Sequence, residues 1–197
     1  MRLLVATGNR GKLSEVRQLC GEVALELVSL ADVGVEAPEE TGATFAENAA
    51  LKACAGARAS GLWALGDDSG LCVEALGGRP GLHSARYDTT EERRRAKLLA
   101  ELAAFPTGKR AAFFRCDLAL ARPDGTLVQA ASGECSGAIA LAARGTNGFG
   151  YDPLFELHDG RTMAELTDAE KHAVSHRGRA FETMREVLRR LAADDLA

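Results

Sequence analysis

A short apolar run from Arg2 to Ala6 ends in the turn Thr7-Gly8-Asn9-Arg10-Gly11-Lys12, after which Leu13, Val16, Leu19 and Cys20 recur at helical spacing. This predicts strand, glycine-bearing turn, helix, with Asn9 or Thr7 as the cap. Ala24–Leu30 reads as a second strand, followed by an acidic loop from Asp32 to Thr41. Thr44 with Glu47 three residues on predicts a capping box that opens an alanine-rich helix ending at Gly61. Leu62–Gly66 is a short buried strand delivering Asp67-Asp68-Ser69-Gly70 at its carboxyl end, with Leu71–Leu76 pairing beside it. Gly77-Gly78-Arg79-Pro80-Gly81 marks a loop. A helix is expected over Thr89–Ala104, with Thr90 or Thr89 as cap, and its run Glu91-Glu92-Arg93-Arg94-Arg95-Ala96-Lys97 reads as a solvated face with i to i+4 pairing. Residues 110–121 and 126–140, joined by Pro123-Asp124-Gly125, predict an antiparallel hairpin, which disfavours a purely parallel sheet. The last helix begins near Gly178, with Phe181, Met184, Val187, Leu188 and Leu191 on one face.

Composition narrows the class. With 197 residues, 46% hydrophobic and 26% charged, the chain can bury a core as one domain, or one domain with a second lobe. A formal net charge of -4 and 5% aromatic residues argue against a nucleic-acid partner, which needs clustered cations and stacking platforms. No apolar run has the roughly 18 residues of a membrane span, nor the opening run the about 7 to 15 of a secretory leader, so a cytoplasmic location with no membrane partner is expected. Cys20, Cys54, Cys72, Cys116 and Cys135 are dispersed without a C-x-x-C pair, and the histidines show no helical ligand spacing. Any metal should therefore be a hard ion on carboxylates.

Four segments could carry chemistry. Thr7–Lys12 offers backbone N–H groups, a helix N-terminus and a lysine to a phosphate, without the Walker A spacing. Asp67-Asp68 places two carboxylates at a strand end; alternate pointing sends one into a crevice, where it could bind magnesium and deprotonate water. The competing reading is an Asx turn over Gly70. Glu39-Glu40 could complete a magnesium site. Lys171, His176 and Arg177 put three potential cations at the start of the last helix, unfavourable there unless an anion or a polar base edge lies nearby. Phe149-Gly150-Tyr151-Asp152 offers an aromatic to stack on a base and a carboxylate for ring N–H groups.

Taken in order, TGNRGK from Thr7, EETGATFAENA from Glu39, DDSGL from Asp67, GGRPGLHSARY from Gly77, GFGYDPLF from Gly148 and SHR from Ser175 resemble the inosine triphosphate pyrophosphatase family from Val5 to the last helix. The resemblance implies a single α/β domain over residues 1–197, two-lobed around a long mixed sheet, acting as a homodimer. It further implies magnesium-dependent hydrolysis of dITP, ITP and XTP to monophosphate and pyrophosphate. By the same resemblance Thr7, Gly8, Asn9, Arg10, Gly11 and Lys12 line the triphosphate site, and Ser69 sits beside Asp68 on the substrate. Asp68 is the proton acceptor and a metal ligand, and Glu39 the second ligand, with Glu40 its neighbouring alternative. Phe149, Gly150, Tyr151, Asp152, Lys171, His176 and Arg177 hold purine and sugar, and Lys52 is a further candidate for phosphate. Two other readings are a pyrophosphatase for modified pyrimidine triphosphates and a nucleotide-binding regulator without hydrolysis.

Overall fold

The computed structural model describes residues 1–21 and 23–193 of the 197. Its elements run β1 (Arg2–Ala6), α1 (Arg10–Leu19), β2 (Glu26–Ser29), α2 (Phe45–Ser60), β3 (Trp63–Val73), α3 (Glu91–Glu101), β4 (Ala111–Ala121), β5 (Leu127–Ile139), β6 (Phe155–Glu156), α4 (Asp168–Val174) and α5 (His176–Ala192). One six-stranded sheet has the order β2-β1-β3-β4-β5-β6. β1 is parallel to β2 and β3, and β6 is antiparallel to β5, so the sheet is mixed as expected. β4 and β5 are neighbours joined through a turn in which Gly125 N–H donates to the Arg122 carbonyl, a link too short for a parallel crossover.

The chain divides into two compact units: residues 1–68, 116–133 and 177–197, and residues 69–115 and 134–176. In the first unit, strand alternation sorts side chains to two cores. Leu3, Val5, Leu65, Leu118 and Leu120 join α1 and α5 through Val16, Leu19, Phe181, Met184, Leu188 and Leu191. Leu4, Ala6, Ala64, Ala119 and Ala121 meet α2 through Ala49, Ala53 and Ala57. The small residues on α2 let it approach the sheet closely. A Cβ at Gly66 would lie 2.1 Å from the Ala49 carbonyl oxygen, so only glycine fits there. The second unit has its own core, in which Leu71, Val73, Leu98, Leu102, Phe114, Tyr151, Leu154 and Phe155 are buried.

Local signals account for most helix starts. Asn9 accepts from Lys12 N–H at α1, Thr44 and Glu47 form the reciprocal box at α2, and Thr90 caps α3. Gly61, at φ 67, stops α2.

Three expectations are corrected. The aspartates do not follow a strand; Asp67-Asp68-Ser69-Gly70 and Leu71–Val73 all belong to the eleven-residue β3, and Glu74–Leu76 is a 3-10 turn rather than part of a second strand. Extension wins over an Asx turn because both carboxylates find cations, described below. The segment around Lys171 is its own short helix, α4, started by a Thr167–Glu170 capping box. The last helix starts at His176 rather than near Gly178, so His176 and Arg177 belong to its first turn.

Candidate active site

In the first unit, β3 alternation points Asp67 to the α1 and α5 side and Asp68 to the α2 side. Asp67 is fully buried. Its Oδ2 accepts from Arg177 Nε at 2.7 Å, Lys12 Nζ lies 3.1 Å from Oδ1, and Cys116 Sγ approaches Oδ2 at 3.6 Å. Burial pushes the Asp67 carboxyl up, but Arg177 and Lys12 outweigh it and hold it well below the usual carboxylate range. Arg177, also buried, donates a second charged hydrogen bond to Glu15 of α1. Burial opposes its charge, while Asp67 and Glu15 drive its pKa up. Lys12 and Glu15 stand three residues apart on one face of α1, which explains how one helix supplies both signs.

Asp68 has a different set of partners. Lys52 Nζ donates to its Oδ1 at 2.7 Å and Asn48 Nδ2 to its Oδ2 at 3.3 Å, while Lys12 Nζ stands 4.0 Å away. Asn48 and Lys52 are four residues apart on α2, on the side that the alanines press against the sheet. Lys52 Nζ also meets Glu40 Oε1 at 2.5 Å and the Asp67 carbonyl at 3.1 Å. Burial works against charge on Lys52, and Asp68 and Glu40 overcome it, raising its pKa. Glu40 is partly covered, whereas Glu39 is exposed.

Hard oxygen donors for magnesium are therefore present. One ammonium already touches both Glu40 and Asp68, showing that a single cation reaches the two carboxylates. Among the described residues no three His, Cys, Asp or Glu side chains gather as a metal-holding group.

The remaining phosphate-loop candidates open α1. Thr7 is buried with its Oγ1 accepting from Asn9 N–H at 3.2 Å; Gly8 and Arg10 are exposed and Gly11 is half-buried. The loop is thus held by its own hydrogen bonds at a helix N-terminus, the arrangement that receives anions. Ser69 is half-buried on β3.

In the second unit, Gly148 to Asp152 form a tight turn. The Asp152 carboxylate accepts from Phe149 N–H at 2.8 Å and is paired with the buried Lys171 ammonium. That ammonium also lies 5.1 Å from the Phe149 ring centroid. Gly148 has φ 72, and a Cβ there would meet Asp152 Oδ2 at 2.1 Å, so the turn requires glycine. Tyr151 is not a stacking face: its ring sits in the core and its hydroxyl donates to the Ser84 carbonyl at 3.0 Å. Burial pushes that hydroxyl pKa upward. His176 is buried and stacks on Phe114 with centroids 4.7 Å apart.

The structure thus gathers Lys12, Asp67, Asp68 and Arg177 with Glu15, Glu40, Asn48 and Lys52 in one unit, and Phe149, Asp152 and Lys171 in the other. Sequence reasoning missed Glu15 and Asn48. Their signal was polarity on helix positions in phase with buried Val16, Leu19, Ala49 and Ala53.

The sequence matches the Ham1 family over residues 3–187. It is 47% identical to a dITP/XTP pyrophosphatase of Synechococcus sp. (strain CC9311), covering 98% of this chain and 92% of that protein. It is 46% identical to a dITP/XTP pyrophosphatase of Anaeromyxobacter dehalogenans (strain 2CP-C), covering 98% and 99%. Among solved structures, a HAM1 protein from Coxiella burnetii superposes with a TM-score of 0.84 at 40% identity, covering 95% of this chain and 98% of that one. Motif order, fold and near-complete coverage agree: the chain belongs to the Ham1 family.

Proposed function

We propose that the chain hydrolyses non-canonical purine nucleoside triphosphates, dITP, ITP and XTP, to the monophosphate and pyrophosphate. The observation that carries this reading is the Asp68 carboxylate set between Lys52 and Asn48, in a chain so similar to dITP/XTP pyrophosphatases. A pure binder has no use for a water-activating carboxylate beside phosphate-directed lysines.

The Lys12 ammonium and the N–H groups of Gly8, Arg10 and Gly11 hold the triphosphate, with Lys52 within reach of a phosphate and Ser69, next after Asp68 on β3, on the substrate. Asp68 takes the proton of the attacking water; the water oxygen bonds the α-phosphorus as the bond to the bridging oxygen breaks and pyrophosphate leaves. Magnesium, when bound, neutralises phosphate charge, and Asp68 with Glu40 or Glu39 would hold it. Glu40 is favoured by its contact with the lysine that touches Asp68. Lys52 and Asn48 keep the Asp68 carboxylate oriented. Asp67 positions Lys12 and Arg177, which leaves Arg177 a positioning role in the first unit.

The 148–152 turn, with Lys171 and His176, takes the purine and sugar. Donors matched to a 6-keto purine reject adenine, because an amino group there leaves them unpaired. The two units are read as one catalytic domain, acting in the cytoplasm as a homodimer. Among the described residues no helix is long and apolar enough to cross a membrane.

Initial rates with magnesium on ITP, dITP, XTP, GTP, ATP and dUTP, assaying pyrophosphate and orthophosphate separately, test the reading. Pyrophosphate release confined to the first three is expected. Release from dUTP or the ordinary nucleotides would replace the substrate, and binding without release would replace catalysis with regulation. Sedimentation of a stable monomer would contradict the dimer.

A further inference from the structure

Within the second unit, the start of α3 grips one residue of the 148–152 turn. The Glu91 carboxylate accepts from Gly150 N–H at 2.9 Å, and Arg95 Nη1 donates to the Gly150 carbonyl at 2.7 Å. The two side chains are one helical turn apart and 3.6 Å from each other. Both polar groups of one peptide residue are therefore held by an opposed pair of charges.

This departs from a solvated charge run. The Arg95 side chain is 19% exposed, whereas its neighbour Arg93 is 68% exposed and pairs with Asp88 instead. α3 is itself fixed by Leu98 and Leu102, both fully buried in the core of the unit. On the other side of Phe149, the peptide N–H is tied to Asp152. Phe149 thus lies between two anchored peptides.

We infer that Glu91 and Arg95 are positioning residues for base recognition, acting through Gly150 to set Phe149. The inference rests on the proposed role of this turn. A loop whose aromatic must present one face to a base gains from rigid support outside its own hydrogen bonds, since a misplaced ring loses both affinity and discrimination.

The test compares Glu91→Ala, Arg95→Met and Glu91→Gln, with the exposed Arg93→Gln, which pairs with Asp88 and not with Arg95 or Gly150, as control. Steady-state kinetics on ITP and GTP are read together with Gly150 amide hydrogen exchange in the free protein. Loss of one charge-assisted hydrogen bond predicts a KM for ITP raised about tenfold, kcat within about twofold, weakened preference for ITP over GTP, and faster Gly150 exchange. Glu91→Gln keeps an acceptor and should restore most of the KM. A structural role alone would lower active enzyme without moving KM. Faster Gly150 exchange with unchanged KM and selectivity, in an enzyme active on ITP, would overturn the inference. Wild-type protein inert toward ITP would instead overturn the functional reading on which it stands.

Discussion

The two faces of β3 hold chemically identical side chains in opposite circumstances. Asp67, toward α1 and α5, is sealed from solvent and bound by Arg177 and Lys12, with Glu15 behind Arg177. Asp68, toward α2, accepts from Lys52 and the Asn48 amide with Lys12 farther off at 4.0 Å, and Lys52 is shared with Glu40 on the acidic loop. The contrast teaches that adjacent carboxylates can divide labour by strand pleat alone. One is committed to internal cations and the other retains acceptor capacity for water or a metal ion.

The largest expected effect is on Asp68. Asp68→Asn should lower turnover on ITP by on the order of 100- to 10,000-fold, the worth of a positioned proton acceptor, with the far-ultraviolet circular dichroism unchanged. A variant within a few-fold of wild type would break the assignment. Next comes Asp67→Asn, which leaves Arg177 buried with one carboxylate partner fewer. Urea unfolding should show a loss of about 3 to 5 kcal/mol. A loss under about 1 kcal/mol would mean that the buried cluster tolerates the missing charge and that Asp67 is no structural anchor.

A smaller difference separates the two glutamates. Glu40→Gln removes the charge from a hydrogen bond with Lys52 and should cost about 1 kcal/mol with a raised magnesium requirement, whereas exposed Glu39→Gln should change stability by less than about 0.5 kcal/mol. Magnesium titrations of activity on both variants check this, and the reverse ranking would return the role to Glu39. The smallest effect concerns pH. The Asp67 carboxyl is held below its ordinary value of about 3.9, so its stabilisation is complete above that pH and is lost only as pH falls through the lower folded value. The stability gap between wild type and Asp67→Asn should therefore stay flat from about pH 8 to about pH 4 and narrow only below. A gap closing between about pH 7 and pH 5 would show that Asp67 is not held ionised by its cations.

Much of this was legible in the sequence where local chemistry decides structure. The Thr44–Glu47 box, Asn9, Thr90 and the Pro123-Asp124-Gly125 turn all act within a few residues, and each stands where its pattern put it. The apolar face of α5 likewise found the core. What escaped depends on distant partners. Asp67-Asp68-Ser69-Gly70 has the composition of a turn, and only Arg177, 110 residues away, and Lys12 make an extended, buried Asp67 affordable. Asn48, Glu15 and the grip of Glu91 and Arg95 on Gly150 escaped for the same reason: a polar residue on a helix reads as solvated until its partner is known. Glu39 and Glu40 are indistinguishable in sequence, and the loop conformation alone brings Glu40 to Lys52.

Asp67→Asn and Asp68→Asn, prepared together and measured for urea midpoint and for pyrophosphate release from ITP per folded molecule, test the division of labour most directly. The account predicts a crossing: Asp67→Asn suffers the greater loss of stability and Asp68→Asn the greater loss of turnover. If Asp67→Asn were instead the less active of the two and Asp68→Asn the less stable, the roles of the two faces of β3 would be reversed and the account wrong.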